Sequence, residues 1–427
     1  MKAETASTIP LIRRPVSAEQ YHDEIESVSQ ALSASLKRVL TDLPGAPLRP
    51  QELARKLKLN KDLSSRLLRA LAEQDPLVAM HQMPGPEPLR RLVRAAARFD
   101  VSGEVLATAQ RAIAEYETLL RDHLGSRAEL DAMIGIALPD ARQRFEVFHK
   151  QAVYRSMSCL KGVVARTHVL SAMLFPGERD DDVAAVMILG LFGLRRLRPG
   201  VPVQFYSAVS GVEVGTHRIV SLGGDAAASA DASCLLPAFS SCGPHVQQTR
   251  DGNNMVYSLQ ADAVGPHCAV DIVTGEVWHG VYHRYQAPGQ PSRMSGFTAD
   301  IDIPVESLTF DVRVHRDVWP SAAPKLVLYD TAIRGIANPN DRARDRDRLD
   351  LAEQIDPLGT SAARRIPEVP VYPRLISETC RTIGFDEGAF RCYRCRVKYP
   401  LYGSQICMTF LPPPKPTVAG EGDRDLR

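Results

Sequence analysis

The spacing of apolar residues changes part-way along this chain, and that change limits the folds it can adopt. From about Ile25 to about Leu174 the pattern is helical, with one clear stripe between Ser102 and Leu124. After about Pro199 the apolar residues come in short runs rich in Val, Ile, Tyr, Phe and Thr, broken by Gly, Pro, Asn and Asp. The sequence therefore predicts an α+β protein, all-α at the N-terminus and mainly β, as a sandwich or barrel-like sheet system, at the C-terminus.

Seven runs in the second half are typical of half-buried strands. They are Val201–Val209, Met255–Ala261, Glu276–Tyr285, Ser307–Val314, Lys325–Tyr329, Ala389–Tyr399 and Ser404–Leu411. The last two are expected to be the arms of a hairpin that turns at 401–403. The apolar run Val183–Leu194 is instead predicted to be a buried helix, with the carboxylates of Asp180, Asp181 and Asp182 at its N-terminus.

Composition and charge exclude several classes of protein. The 427 residues are 44% hydrophobic and 24% charged, which is enough apolar material for sizeable cores. With 52 basic and 50 acidic residues the net charge is +2, so nucleic-acid binding would depend on a local patch. No run approaches the ~18 apolar residues of a membrane span, and the N-terminus lacks the apolar core of a signal peptide. We therefore expect a cytoplasmic protein without a membrane partner.

Residues 48–71 carry the pattern of a helix-turn-helix. Pro50 suits a first helical position, and Asn60 suits the N-cap of a second helix that runs from Lys61 to about Glu73. A preceding amphipathic helix, from Val28 to about Leu43, would complete a three-helix bundle. Leu63 and Leu67 are expected to be buried in its core, and the second helix would enter the major groove of DNA.

The run from Asn60 to Leu68, NKDLSSRLL, resembles the second helix of bacterial winged helix-turn-helix transcriptional regulators. The resemblance covers about 50 of the 427 residues. It implies that Leu77–Leu89 form the wing. Lys58 stands where the turn usually carries Gly, and a left-handed Lys costs on the order of 1 kcal/mol.

The predicted DNA-binding module is locally basic. Residues 36–98 carry 13 Lys and Arg against 6 Asp and Glu, which is the asymmetry that a phosphate-binding surface requires. The residues expected to contact DNA are Lys61, Asp62, Ser64, Ser65, Arg66, Arg69, Arg90 and Arg91. The same geometry also occurs in protein-docking modules and in accessory domains of enzymes, so these two alternatives stay open.

Two groups of side chains have the residue types of a metal site, but their spacing argues against one. Cys380, Cys392, Cys395 and Cys407 could supply four thiolates. If Ala389–Tyr399 is one strand, however, Cys392 and Cys395 point to opposite faces. His279 and His283 lie in a predicted strand, where four residues span roughly 13 Å. The sequence therefore predicts no metal, no cofactor and no catalytic residues.

The preferred interpretation is a cytoplasmic DNA-binding transcriptional regulator. Its expected partners are double-stranded DNA, a second copy of the chain and a small-molecule effector. The alternatives are an enzyme with its active site in the β-rich half and a protein-interaction or assembly protein. The expected divisions are a flexible lead-in at 1–24, the winged helix-turn-helix at 25–98, a helical linker or dimerisation segment at 99–174, a β-rich sensor or assembly domain at 175–411 and a disordered tail at 412–427.

Overall fold

The protein is α+β, with a helical N-terminal region and a C-terminal region made mostly of β-sheets, as the sequence predicts. The computed structural model describes residues 18–46, 49–201, 203–209, 218–223, 234–241, 246–251, 254–259, 263–287, 289, 291–360 and 365–416. Contacts divide the chain into two compact units, Met1–Glu146 and Val147–Arg427. Most of the predicted lead-in and tail lies outside the described residues, although the first helix already begins at Ala18.

The first unit is built from helices whose apolar faces share one core. They are α1 (Ala18–Thr41), α2 (Pro50–Leu57), α3 (Lys61–Ala72), α4 (Pro76–Gln82), α5 (Pro86–Ala96), α6 (Gly103–Thr118) and α7 (Arg127–Ala137), with a π-helical turn at Leu119–Leu124. A further helix, α8 (Pro139–Lys161), begins in this unit and ends in the second. Leu36 of α1, Leu53 of α2 and Leu67 of α3 belong to the common core.

The expected wing is wrong, because residues 77–89 are helical apart from the turn at 83–85 and contain no strand. Asp75 Oδ1 caps α4 by accepting hydrogen bonds from the backbone N–H groups of Leu77, at 2.8 Å, and Val78, at 3.2 Å. Pro76 and Pro86 occupy first-turn positions, where a missing N–H costs nothing. The Met-Pro-Gly-Pro turn therefore separates two helices.

The described residues of the second unit form three sheets. Their strands are β1 (Val163–Pro176), β2 (Asp182–Arg196), β3 (Val203–Val209), β4 (Arg218–Ser221), β5 (Val246–Asp251), β6 (Asn254–Leu259), β7 (Val270–His283), β8 (Ser295–Asp300), β9 (Val305–His315), β10 (Lys325–Asp330), β11 (Asp356–Gly359), β12 (Phe390–Lys398) and β13 (Ser404–Phe410). The main sheet has the order β11-β12-β9-β1-β2-β7-β4, and among these described strands β1 and β9 run parallel while the other neighbouring pairs are antiparallel. The smaller sheets are β10-β13-β8 and β3-β6-β5.

Both faces of the main sheet are covered. A helix that the sequence analysis missed, α9 (Tyr372–Ile383), packs on one face, where Ile376 meets Val169 and Met173 in one core. The β10-β13-β8 sheet packs on the other face, where Phe297 and Met408 belong to a second core. The second unit is therefore layered as helix, sheet and sheet along this part of the chain.

Two strands of the main sheet were expected to be helical. The predicted helical region extends to Leu174, but its last part, from Val163, forms β1. The run Val183–Leu194 is predicted to be a buried helix, but it forms β2. Strands buried on both faces read as continuous apolar runs, so the alternation that marks a half-buried strand is missing here. The carboxylates of Asp180 and Asp181 consequently lie in the β1–β2 turn, and Asp182 begins β2 with its Oδ2 bound to Arg179 Nε at 2.7 Å.

The predicted hairpin between the last two strands is also wrong. β12 pairs with β9 and β11 in the main sheet, whereas β13 pairs with β10 and β8 in the second sheet. The chain changes sheets at 399–403, where Tyr399 adopts a left-handed φ of 51° and Pro400 follows it. Since proline cannot donate to a ladder, the pairing ends at this point.

Candidate nucleic-acid interface

The helices α2 and α3 lie at the positions for which the sequence predicts a helix-turn-helix. Pro50 occupies a first-turn position of α2, and Lys58 ends that helix in a left-handed conformation, with φ 52° and ψ 45°. Asn60 caps α3 by accepting a 2.7 Å hydrogen bond from the Asp62 N–H. These local features bring the first turn of α3 directly after a three-residue break, as the sequence predicts.

The inner faces of the two helices are apolar. Leu53 and Leu57 of α2 are buried, as are Leu67 and Leu71 of α3. Leu63 is expected to be buried in the core but is only half-buried, so this prediction is wrong. The outer face of α3 is thus left for polar contacts.

Five of the eight predicted DNA-contact residues are exposed. They are Lys61, Asp62, Arg66, Arg69 and Arg91. Within the described chain, no anionic partner is found for Lys61, Arg69 or Arg91. Arg69 lies eight residues after Lys61, which is about 12 Å along a helix. These three cations are therefore available to an external anion.

Arg66 is exposed but is already bound within the protein. Its Nε donates to the carbonyl oxygen of Gln82 at 2.8 Å, and a terminal nitrogen donates to that of Met83 at 3.3 Å. Arg127 caps the same end of α4, at 3.0 Å from the Met83 oxygen and 2.5 Å from that of His81. The two guanidinium groups satisfy carbonyls that a helix end leaves without partners.

The remaining predicted contacts are less accessible. Ser64 is completely buried and its hydroxyl donates to the carbonyl oxygen of Asn60 at 3.2 Å, so it is not accessible in this structure. Ser65 is half-buried. Arg90 pairs with Glu117 of α6, and the hydrogen bond from Arg90 lowers the pKa of the Glu117 carboxyl. Arg90 and Arg91, adjacent in sequence, therefore face different neighbours.

A cleft of about 650 Å³ opens between the helix-turn-helix and α5, and we call it the basic cleft. Its charged lining consists of Lys58, Asp62, Arg91, Arg94 and Arg98. Arg94 pairs with Glu87 at 2.7 Å, whereas Lys58 and Arg98 have no anionic partner within the described chain. The cleft thus has four cations beside one carboxylate at the start of α3.

Lys58, Arg94 and Arg98 were missing from the predicted contact set. Arg91, Arg94 and Arg98 are spaced i, i+3, i+7, which places them on one side of a helix. That spacing is present in the sequence, but a wing over Leu77–Leu89 does not predict a helix there. The helix α5 carries Arg91 and Arg94, and Arg98 follows two residues after its end.

The cysteines do not gather into a metal site in the part of the chain that the structure describes. Cys392 pairs with Arg313 on the face of β12 toward α9, whereas Cys395 belongs to the core between the two sheets. The two side chains therefore lie on opposite faces of one strand. Among the described residues, no group of three or more His, Cys, Asp or Glu side chains is placed to hold a metal ion. Likewise, no described helix is both long and apolar enough to cross a membrane.

Comparisons with known proteins give little guidance. No protein-family model matches this sequence, and no curated protein matches it. Solved structures of an M1 zinc metallopeptidase from Deinococcus radiodurans, one of them a mutant bound to a Tyr-Ser-Ala substrate, share 9% identity over 58% of this chain, with a TM-score of 0.23. The match spans 42% of those enzymes. A likeness of this size assigns neither fold nor function.

Proposed function

We propose that the first unit binds double-stranded DNA and that the protein is a transcriptional regulator. In this proposal α3 enters the major groove, and the cations at its start hold the phosphates. The observation that carries the proposal is the convergence of Lys58, Arg91 and Arg98, which have no anionic partner within the described chain, on the first turn of α3. In the proposal α3 is the second helix of a helix-turn-helix.

Uncompensated cations in a cleft favour a polyanionic partner. Bringing them together costs Coulomb energy that a phosphate backbone would recover, together with released counterions. The single carboxylate, Asp62, lies on the adjacent exposed turn of α3, where an acidic side chain can accept from cytosine in the major groove. Arg69, about two turns further along α3, would reach a second phosphate or a base edge.

The absence of a wing changes how the module would bind. A wing commonly adds backbone contacts beside the recognition helix, and here α4 and the first turn of α5 occupy that position in the sequence. We propose that Arg91 and Arg94 of α5, with Arg98 just after it, replace those contacts. We also propose that the protein binds as a dimer, since one helix reads only a few base pairs and two-fold pairing multiplies the contacts.

The test is a titration of a fluorescent DNA duplex with the full-length protein, followed by anisotropy over a series of salt concentrations. The logarithm of the binding constant should fall linearly with the logarithm of the salt concentration. The Arg91→Ala/Arg98→Ala variant should bind more weakly and reduce the salt slope by about 2, because each lost phosphate contact removes about 0.9. Arg342→Ala, which removes an exposed arginine of the second unit, is the matched control and should retain the wild-type slope.

Two results would contradict the proposal. One is no change in anisotropy at low salt. The other is an unchanged slope for the double variant when its circular dichroism and melting match those of the wild type. In either case the basic cleft does not hold DNA phosphates, and the result favours the alternative that the first unit docks on another protein.

A further inference from the structure

The second unit contains a cleft that the proposed DNA-binding function does not use. It encloses about 560 Å³ between the inner face of the main sheet and the β8 strand, and we call it the inter-sheet cleft. Leu170, Leu189 and Phe205 form part of an apolar wall, and Tyr206 and Trp278 add aromatic rings. The cleft is therefore shaped and lined as a small-molecule site.

The strand β8 is the edge of its sheet, so the cleft follows an edge that pairs with no other described strand. Phe297 and Ala299 point into the core, whereas Thr298 and Asp300 alternate to the other face. Asp302 follows two residues later, and both carboxylates line the cleft. An elongated ligand could therefore touch the apolar wall at one end and the carboxylates at the other.

The two carboxylates have no bound cation within the described chain. Oδ1 of Asp300 is buried and has no hydrogen-bond partner there. Lys161, which lies over the ring of Tyr402, acts on Asp302 only through space. Burial, with the charge of Asp302 added, raises the pKa of Asp300 to about 6.

His168 supplies an independent sign that the cleft takes a ligand. It lines the cleft from β1, it is only 5% exposed, and its Nε2 has no hydrogen-bond partner among the described residues. Leaving a buried polar atom unpaired destabilises the folded protein unless a ligand supplies the missing partner. Burial lowers the pKa of His168 to about 4, so the ring is neutral near pH 7 and offers one donor and one acceptor.

We propose that the inter-sheet cleft binds a small organic amine with an apolar or aromatic body. Its ammonium group would lie between Asp300 and Asp302, and its body would lie along the apolar wall within reach of the Tyr206 and Trp278 rings. A cation relieves the repulsion between the carboxylates and makes charge-assisted hydrogen bonds to them. An anionic ligand would add to that repulsion, and too few donors gather here for a metal among the described residues.

Isothermal titration of the full-length protein tests this inference. The probes are phenethylamine and octylamine, each compared with its alcohol, phenethyl alcohol and octanol. The two bodies are matched within each pair, so the comparison isolates the ammonium group. We expect at least one amine to bind at least tenfold more tightly than its alcohol. Equal affinities within both pairs, or no binding of either amine, would overturn the inference.

Variants identify the site. Asp300→Asn is nearly isosteric and should lose at least tenfold in amine affinity, and Asp302→Asn should lose a smaller factor. Asp317→Asn, an exposed carboxylate of the same unit, is the control and should bind as the wild type does. Asp300→Asn should melt at or above the wild-type temperature, because the charge it removes has no partner. Amine binding that survives in Asp300→Asn, or a large fall in its melting temperature, would overturn the inference, whatever the outcome of the DNA titration.

Discussion

Arg66 Nε donates a 2.8 Å hydrogen bond to the carbonyl oxygen of Gln82, and this contact joins α3 to the end of α4. The sequence alone placed Arg66 at a DNA base or phosphate. In the structure it closes the helix that occupies the expected position of the wing. A residue that is exposed and basic can thus be held by the protein's own backbone.

Arg66→Ala should therefore lower the stability of the first unit. It removes two hydrogen bonds from a charged donor and leaves the Gln82 carbonyl without its side-chain partner, whereas Met83 keeps Arg127, at a cost of about 1–3 kcal/mol. Arg69→Ala, on the same helix but without a partner in the described chain, should leave stability within about 0.5 kcal/mol and weaken DNA binding instead. Chemical denaturation followed by circular dichroism measures the first effect, and anisotropy measures the second. Equal stability losses for the two variants would contradict this division of roles.

Two leucines of α3 should differ in their contribution to stability. Leu67 is completely buried, so Leu67→Ala should cost about 2–5 kcal/mol. Leu63 is half-buried, and its truncation should cost clearly less because part of its surface already contacts water. Thermal melting of both variants tests the assignment of the helical face. A larger loss for Leu63→Ala would show that α3 is rotated from the orientation described.

A buried ion pair stabilises the main sheet of the second unit. Arg394 makes two hydrogen bonds of 2.7 Å to the fully buried Asp311, which also accepts from the Tyr372 hydroxyl at 2.5 Å. Asp311→Ala should lower the free energy of unfolding by about 3–5 kcal/mol, because it leaves the buried guanidinium groups of Arg394 and Arg313 without their counter-ion. Glu368→Ala breaks the exposed Arg396–Glu368 pair and should cost about 0–1 kcal/mol. Urea unfolding of the two variants gives the comparison, and similar midpoints would contradict it.

His168 and Asp300 should make opposite contributions to the pH dependence of stability. The pKa of His168 is lowered from 6.5 to about 4, so between these values the unfolded chain binds a proton that the folded chain does not, and stability falls as the pH is lowered. The pKa of Asp300 is raised from 3.8 to about 6, so the folded chain binds the extra proton and stability rises as the pH is lowered. The two effects largely cancel in the wild type.

Single variants should reveal each effect. Relative to the wild type, Asp300→Asn should lose stability on acidification from about pH 6.5 to about pH 4, and His168→Gln should gain stability over the same range. Urea midpoints of the second unit at several pH values measure both slopes. For each variant the slope is that of its stability difference from the wild type, plotted against pH. Slopes of the same sign for the two variants would show that one of the two groups is not buried as described.

Local signals in the sequence predicted where α2 ends and where α3 begins. Pro50, the left-handed Lys58 and the capping Asn60 act through their own backbone or that of the next two residues, so their effect needs no knowledge of the rest of the fold. Seven of the strands were also predicted, because alternation and β-branched residues mark half-buried strands.

Features that depend on residues distant in sequence were predicted wrongly or not at all. The β2 strand is apolar on both faces because α9 covers one and the β10-β13-β8 sheet covers the other, and neither layer can be inferred from the run itself. Likewise, His168 and Asp300 are far apart in sequence and meet in one cleft only through the packing of the two sheets. The sequence contains no motif that joins them.

Genomic footprinting with the full-length protein at two salt concentrations tests the central proposal most directly. We predict discrete protected sites that persist at the higher salt, loss of protection for the Arg91→Ala/Arg98→Ala variant, and wild-type protection for Arg342→Ala. Selective sites would show that α3 reads base edges, because phosphate contacts alone carry no sequence information. Uniform protection that disappears at the higher salt, or no protection at either, would contradict a sequence-reading helix-turn-helix.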